Sequence, residues 1–335
     1  MSDYKKKIVK LSDCTTFRMG GSAELFTLSS KEEVENFFRN HGEYVVIGGG
    51  SNILVGTKEF TIPFVKIIAS QISVEKEDDE HIYLRAEAGK NWDAFVLETV
   101  ERGLSGIELL SYIPGSVGAS PIQNIGAYGA EVRDTLVSVT VYDTKKKEWR
   151  VFSNDQCGFA YRKSIFQAHK EYIIYDTLWK LSKTLSSAGT YPSLKAYMDE
   201  NNILVSIASL RDAVIAVRRS KLPEISEIAS VGSFFKNPIV TKEKGEEIRG
   251  RFPKMAIFPL DDKRVKLPAG FLMEHSCANI LTYKNLALYE KNKLVVIHKG
   301  GGATLSEVNE YTEMIKEKVR VMFGVELIRE PEEVS

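Results

Sequence analysis

An α+β fold of about two domains is what this sequence predicts, and three observations carry the expectation. The length, 335 residues, is roughly twice that of an ordinary domain of about 150. Short apolar strands joined by hairpin turns, at Asp78-Asp79 and at Lys145-Lys146-Lys147, are interspersed with discrete helices that carry their own caps. The composition, 43% hydrophobic and 27% charged, is that of a globular protein rather than a disordered one. A chain this long buries on the order of 75% of its unfolded surface, so it needs neither disulfides nor metals to hold a core.

Along the chain, Ser30 and Glu33 form a capping-box pattern that opens a helix with Val34, Phe37 and Phe38 on its apolar face. Residues 44–47 read as a buried strand, followed by Gly48-Gly49-Gly50-Ser51-Asn52 and a return to strand at 53–55. A strand over 62–68, the Asp78-Asp79 hairpin and a helix over 91–102 follow, the helix ended by Gly103. Strands are then expected at 137–143, 148–152 and 172–181, a small-residue loop at 185–190, and helices over 193–201 and 207–219. Pro223 and the weakly periodic stretch to 231 mark a boundary. Beyond it the pattern predicts helices over 242–251 and 268–277 and strands over 286–289 and 294–298. The last helix is capped by Thr304 and Glu307 and faced by Leu305, Val308, Ile315, Val319 and Met322; Gly324 ends it, and 325–329 reads as a final strand.

Several classes are excluded early. Forty-five basic residues balance 45 acidic ones, so there is no surplus of Lys and Arg for nucleic acid or an anionic membrane. Cys14, Cys157 and Cys277 are odd in number and far apart, without a CxxC pair, which argues against a disulfide framework or a cysteine zinc site. The five histidines show no metal-ligand spacing, so no metal is expected. The basic start MSDYKKKIVK is followed by no apolar segment of a signal peptide, and no run approaches the ~18 residues of a membrane span. The expectation is a cytoplasmic monomer.

The 24 glycines are unevenly placed. The triple glycine after a strand fails the dinucleotide fingerprint, which needs G-x-G-x-x-G opening a helix, because Ile53-Leu54-Val55 continues extended. It fails as a P-loop too, since no Lys-Ser/Thr follows. What remains is either a nest of backbone N–H groups suited to a pyrophosphate or a tight hairpin turn between two core strands. The stretch 113–129, IPGSVGASPIQNIGAYG, is seventeen residues with four glycines and no charge. Its small residues let backbone approach a flat ring, and Gln123 and Asn124 can hydrogen-bond the ring edge. A flavin fits both loops, and with no His or Cys in either it is expected to bind non-covalently as FAD.

Those two segments, VVIGGGSNILV at 45–55 and IPGSVGASPIQNIGAYG at 113–129, resemble the flavin loops of the UDP-N-acetylenolpyruvoylglucosamine reductases. GFAYRKSIF (158–166), RRSKLP (218–223) and VGSFFKNP (231–238) extend the resemblance in order, and TYPSL (190–194) is similar to the tyrosine-bearing loop of the family's longer subgroup. The resemblance implies an FAD-binding domain of the PCMH/vanillyl-alcohol-oxidase type followed by a smaller α+β substrate-binding domain. FAD-binding subdomains would cover 1–70, with the C-terminal strand 325–335 near them, and 71–222; 223–324 would bind substrate. It implies cofactor contacts from Gly48, Gly49, Gly50, Ser51, Asn52 and Ile53, and from Ile113, Pro114, Gly115, Gly118, Ser120, Gln123, Asn124, Gly126 and Ala127.

It further implies that NADPH passes a hydride through FAD to the β-carbon of UDP-N-acetylglucosamine enolpyruvate, giving UDP-N-acetylmuramate for peptidoglycan. Arg162 and Glu330 would stabilise the enolate and Ser233 would supply the proton. Tyr128, Tyr161, Tyr191, Arg218, Lys221, Asn237 and His275 would hold the substrate. Two departures stand out: His275 replaces the family's usual glutamine, and Ile328 stands where another acid is common, with Glu332 and Glu333 close to Glu330. The competing readings are another non-covalent FAD oxidoreductase of the same fold and a UDP-sugar binding module without redox chemistry.

Overall fold

Residues 4–186 and 189–335 are described by the structure, a computed structural model; positions 187 and 188 of the loop expected at 185–190 lie outside the described residues. The chain forms two compact units. One comprises 1–9, 23–49 and 60–220, the other 10–22, 50–59 and 221–335.

In the first unit, strands Ser22–Leu28 and Val45–Val46 both pair in parallel with Phe64–Ile67, and Lys5–Lys10 completes this sheet beyond Ser22–Leu28. The strand expected at 44–47 is only two residues long, and Val46 is exposed rather than buried. Helix α1 (Lys31–Asn40) starts where its cap predicts: Ser30 Oγ accepts from the Glu33 N–H at 3.1 Å. The reciprocal arm of the box misses by one residue, since the Glu33 carboxylate accepts from the Ser29 N–H instead. Val34, Phe37 and Phe38 are buried.

A second, antiparallel sheet runs in the order Glu148–Ser153, Leu136–Asp143, Tyr172–Ser182, His81–Glu87, Ile72–Glu77. Both hairpins obey their turn chemistry. Asp143 Oδ1 accepts from the N–H groups of Lys145 and Lys146, and Asp78 Oδ1 from those of Glu80 and His81. The lysine run is therefore a solvated turn. Helix α2 (Trp92–Glu101) is capped by Asn91 and lays Trp92 and Phe95 against Trp179, with ring centroids 5.4 and 5.7 Å apart. Helices α3 (Pro192–Glu200) and α4 (Ile207–Lys221) close a smaller core of Leu109, Leu194, Met198, Leu210, Ala213, Val214 and Val217.

The second unit has an antiparallel sheet ordered Ala229–Ser233, Asn292–His298, Leu286–Tyr289, Thr282–Tyr283, and a three-stranded one of Ile239–Thr241, Arg264–Lys266 and Phe258–Pro259. Strand Ile53–Val55 pairs in parallel with Glu332–Val334. The two strands flanking the triple glycine thus pair with different partners, so it is not a hairpin turn. Helices α5 (Lys242–Arg251), α6 (Ala269–Ser276) and α7 (Leu305–Phe323) complete the unit. Along α7, Val308, Tyr311, Ile315, Val319 and Phe323 are buried, whereas Met322, expected on that face, is exposed. Residues 325–329 form no strand: Val325 and Leu327 are buried, but only Arg329 bridges a neighbour, Phe235, and the strand begins at Glu332.

Both arms of the α7 capping box are made: Thr304 Oγ1 accepts from the Glu307 N–H at 3.2 Å, and Glu307 Oε2 from the Thr304 N–H at 3.0 Å. Thr304→Ala is expected to lower unfolding free energy by about 1 kcal/mol in urea titration, while Thr304→Ser restores most of it.

Candidate functional site

In the first unit the triple glycine meets the second glycine loop backbone to backbone. A Cβ on Gly49 would lie 2.7 Å from Gly115 Cα, and one on Gly48 would lie 3.0 Å from Ser116 Oγ. No side chain fits at Gly49, where the opposing atoms are backbone. The N–H groups of Gly48 and Gly49 find no acceptor among the described residues, so they are donors available to a ligand. Ile113, Pro114 and Gly115 are half-buried at the head of the 113–129 loop. Gly118 packs against Ala88, and the buried Ser120 hydroxyl donates to the Val117 carbonyl at 2.8 Å.

The two neighbouring amides behave differently. Asn124, fully buried at φ +49, donates to Glu131 Oε2 at 2.9 Å and the Ala160 carbonyl at 3.2 Å, and accepts from the Arg133 N–H at 3.0 Å. Its amide holds the loop in shape. Gln123 Oε1, by contrast, is buried with no hydrogen-bond partner. Gly126 and Ala127 form a short hairpin with Ala130 and Glu131. Arg162 donates from Nη2 to the Gly126 carbonyl at 2.7 Å, and its guanidinium lies 5.4 Å from the centre of the Tyr161 ring.

Tyr128 and Tyr191 meet edge to face at 5.5 Å. Burial raises both phenols above the ordinary range, so they stay neutral hydrogen-bond groups; nearby Arg218 partly offsets this for Tyr128. Arg218 is itself held below its usual value, chiefly by desolvation, with Tyr128 and Asp93 opposing. The sequence reading missed the groups behind it. Tyr112, at φ +61, donates its N–H to Asp93, and Arg211 grips that carboxylate through two bonds of 2.7 and 2.8 Å. The available signal was an arginine seven residues before Arg218 on a helix face that also carries the buried Val214.

In the second unit, Gly50 at φ +64 has no room for a side chain, since its Cβ would lie 2.0 Å from the Cys14 carbonyl oxygen. Ser51 and Ile53 are half-buried. Asn52 Nδ2 approaches the Glu330 carbonyl at 3.4 Å, and the Asn52 carbonyl accepts from the Glu332 N–H at 3.0 Å. Ser233 ends a bulged strand, just before Phe234, whose carbonyl accepts from the Glu330 N–H at 3.0 Å. The backbone thus brings Asn52, Ser233 and Glu330 into one neighbourhood. Glu330 is half-buried, while Glu332 and Glu333 are exposed in the strand beyond it. Asn237 Oδ1 accepts from the Ala269 N–H at 2.9 Å and so caps α6. His275, on the last turn of α6, is exposed and stacks 4.0 Å from the Phe271 ring. Lys221, the last residue of α4, is exposed.

Two families match this chain in order: FAD binding domain over residues 25–151, and UDP-N-acetylenolpyruvoylglucosamine reductase, C-terminal domain, over residues 224–334. The UDP-N-acetylenolpyruvoylglucosamine reductase of Flavobacterium johnsoniae is 34% identical over 95% of this chain and 96% of its own length. That of Bdellovibrio bacteriovorus is 37% identical over 92% and 90%. The chain belongs to the UDP-N-acetylenolpyruvoylglucosamine reductase family. The crystal structure of the reductase from Thermus caldophilus shares the fold, with a TM-score of 0.70 at 22% identity, covering 99% of this chain and 100% of that one. As in that family, an FAD-binding domain precedes the C-terminal domain, and the chain is an FAD-carrying oxidoreductase.

The residues present fit an FAD: backbone donors at Gly48 and Gly49 with no acceptor among the described residues, a glycine-only approach of Gly49 to the Gly115 backbone, and the orphaned Gln123 Oε1 able to accept from a ring N–H. An unpaired buried amide oxygen costs about 1–3 kcal/mol. Gln123→Leu is therefore expected to leave the flavin-free protein as stable as wild type or more so, while weakening FAD retention about tenfold in flavin titrations.

Proposed function

We propose that this chain catalyses the NADPH-dependent reduction of UDP-N-acetylglucosamine enolpyruvate to UDP-N-acetylmuramate, a step in peptidoglycan precursor synthesis. The observation that carries this reading is its relation, over nearly the whole length, to reductases of that name. When bound, FAD would supply the two-electron hydride chemistry that links NADPH to the enolpyruvyl β-carbon.

The chain's own residues handle the charge and the proton. Hydride addition at the β-carbon pushes an electron pair onto the substrate carboxylate, and the resulting enolate needs a fixed positive partner. Arg162 takes that role; its bond to the Gly126 carbonyl restrains the guanidinium, and a guanidinium is always charged and can grip a carboxylate through two parallel bonds. Glu330 shares in stabilising the enolate, a role a carboxyl fills only in its protonated form, as a hydrogen-bond donor. Ser233 Oγ gives its proton to the α-carbon, which completes the lactyl ether. An alcohol is a weak acid, so this step needs a neighbouring group to lower the cost of the departing proton. Arg218 and Lys221 supply positive charge for the substrate's phosphates in a chain with no net charge. Tyr128, Tyr161, Tyr191, Asn237 and His275 complete the substrate contacts. Segments 1–70 and 71–222, with the C-terminal strand, carry FAD, and 223–324 the sugar nucleotide.

We place the enzyme in the cytoplasm as a monomer. The buried Cys157 and Cys277 thiols suit a reducing compartment, and no helix among the described residues is long and apolar enough to cross a membrane.

Purified protein is expected to be yellow, to lose its ~450 nm absorbance on NADPH addition and to recover it with the enolpyruvyl sugar nucleotide. A colourless protein unable to take up FAD rules this reading out. Ser233→Ala is expected to leave the NADPH half-reaction within about twofold of wild type and to slow the second by about 10²–10⁴. Equal loss in both halves makes Ser233 a structural residue.

A further inference from the structure

The Tyr112 peptide is held at both ends. Its N–H donates to Asp93 Oδ1 at 2.5 Å, and its carbonyl accepts from Arg218 Nε at 3.2 Å. Asp93 is in turn gripped by the buried Arg211 through two bonds of 2.7 and 2.8 Å, a planar fork that fixes the carboxylate in orientation as well as place. Tyr112 has φ +61, a conformation that a non-glycine residue holds only when its surroundings enforce it, and Ile113, the first residue of the uncharged loop, follows it. From the other side the Arg219 guanidinium lies over the Tyr112 ring at 5.0 Å. Arg218 uses only Nε in this arrangement; both terminal nitrogens are without a hydrogen-bond partner among the described residues.

We infer that Asp93 and Arg211 are positioning residues for substrate: through the Tyr112 peptide they aim Arg218 so that its two terminal nitrogens meet an anionic group of the sugar nucleotide. The inference rests on the proposed function, because it takes the ligand of Arg218 to be that substrate. A guanidinium tethered through Nε loses little further freedom when an anion docks on its two terminal nitrogens. The charge order is also coherent. Burial works against the Asp93 carboxylate, but Arg211, the Tyr112 N–H and Arg218 together hold it below the ordinary range, so it stays an anion at neutral pH. Arg211 meets its charge, which leaves Arg218 positive and uncommitted.

The test is a double-mutant cycle read by calorimetric binding of UDP-N-acetylglucosamine enolpyruvate to the oxidised holoenzyme, without NADPH. Asp93→Asn keeps an acceptor for the Tyr112 N–H but loses the charge; Arg218→Lys keeps a charge but loses the Nε tether. Asp93→Asn is expected to weaken binding about tenfold in the wild type and less than twofold in the Arg218→Lys background. A residue that merely supports the fold weakens binding by the same factor in both backgrounds, and that result overturns the positioning role. If Asp93→Asn does not fold with bound flavin, Arg211→Lys, which breaks the two-bonded fork and keeps the charge, replaces it in the same cycle. A wild type that binds flavin but not this substrate overturns the proposed function; a wild type that binds it with additive penalties overturns only the inference.

Discussion

The approach of Gly49 to Gly115 is the contact on which the flavin half of the molecule is built. With a Cβ at 49 only 2.7 Å from a backbone carbon, neither chain segment has a side chain that could rotate away. This requirement gives a second meaning to the clustered glycines. The composition suggested backbone approaching a bulky ligand, and the structure adds backbone approaching backbone. Beside this approach the Gly48 and Gly49 N–H groups find no acceptor among the described residues, so the steric constraint and the open donors lie in the same three-residue segment.

Polar satisfaction supplies the second organising rule. Gln123 and Asn124 are adjacent amides that look equivalent in sequence, yet one is consumed by three internal hydrogen bonds and the other keeps a buried oxygen unpaired. A group that is fully satisfied shapes a loop; one left orphaned in a buried place marks where a ligand belongs. The same distinction separates Arg211, bonded through both terminal nitrogens to one carboxylate, from Arg218, whose two terminal nitrogens have no hydrogen-bond partner among the described residues.

Much of the secondary structure was legible because it is decided locally. The capping box of α7, the aspartates of both hairpins and the prolines and glycines at helix ends act within a few residues of themselves. The misreadings are places where neighbours distant in sequence choose between local options. Met322 and Phe323 follow Val319 by three and four residues, so either could face the core, and Phe323 is the one that does. Residues 325–328 alternate buried and exposed positions as a strand would, with Ile328 the apolar residue left outside, but an extended segment becomes a strand only where another backbone pairs along it. Residues 44–47 have strand composition, but the partner strand pairs with only two of them.

For this protein the linear pattern was enough for the α+β class, for FAD as the cofactor and for the family to which the chain belongs. Those features are carried by residue type and spacing, which a sequence displays directly. The Asp93–Arg211 fork, the bracket around the Tyr112 peptide and the different fates of Gln123 and Asn124 were not readable that way. Asp93 and Arg211 lie 118 positions apart and acquire a role only when folding puts a carboxylate within hydrogen-bond reach of a guanidinium. The strength and direction of that contact depend on distance and desolvation, which residue order does not encode.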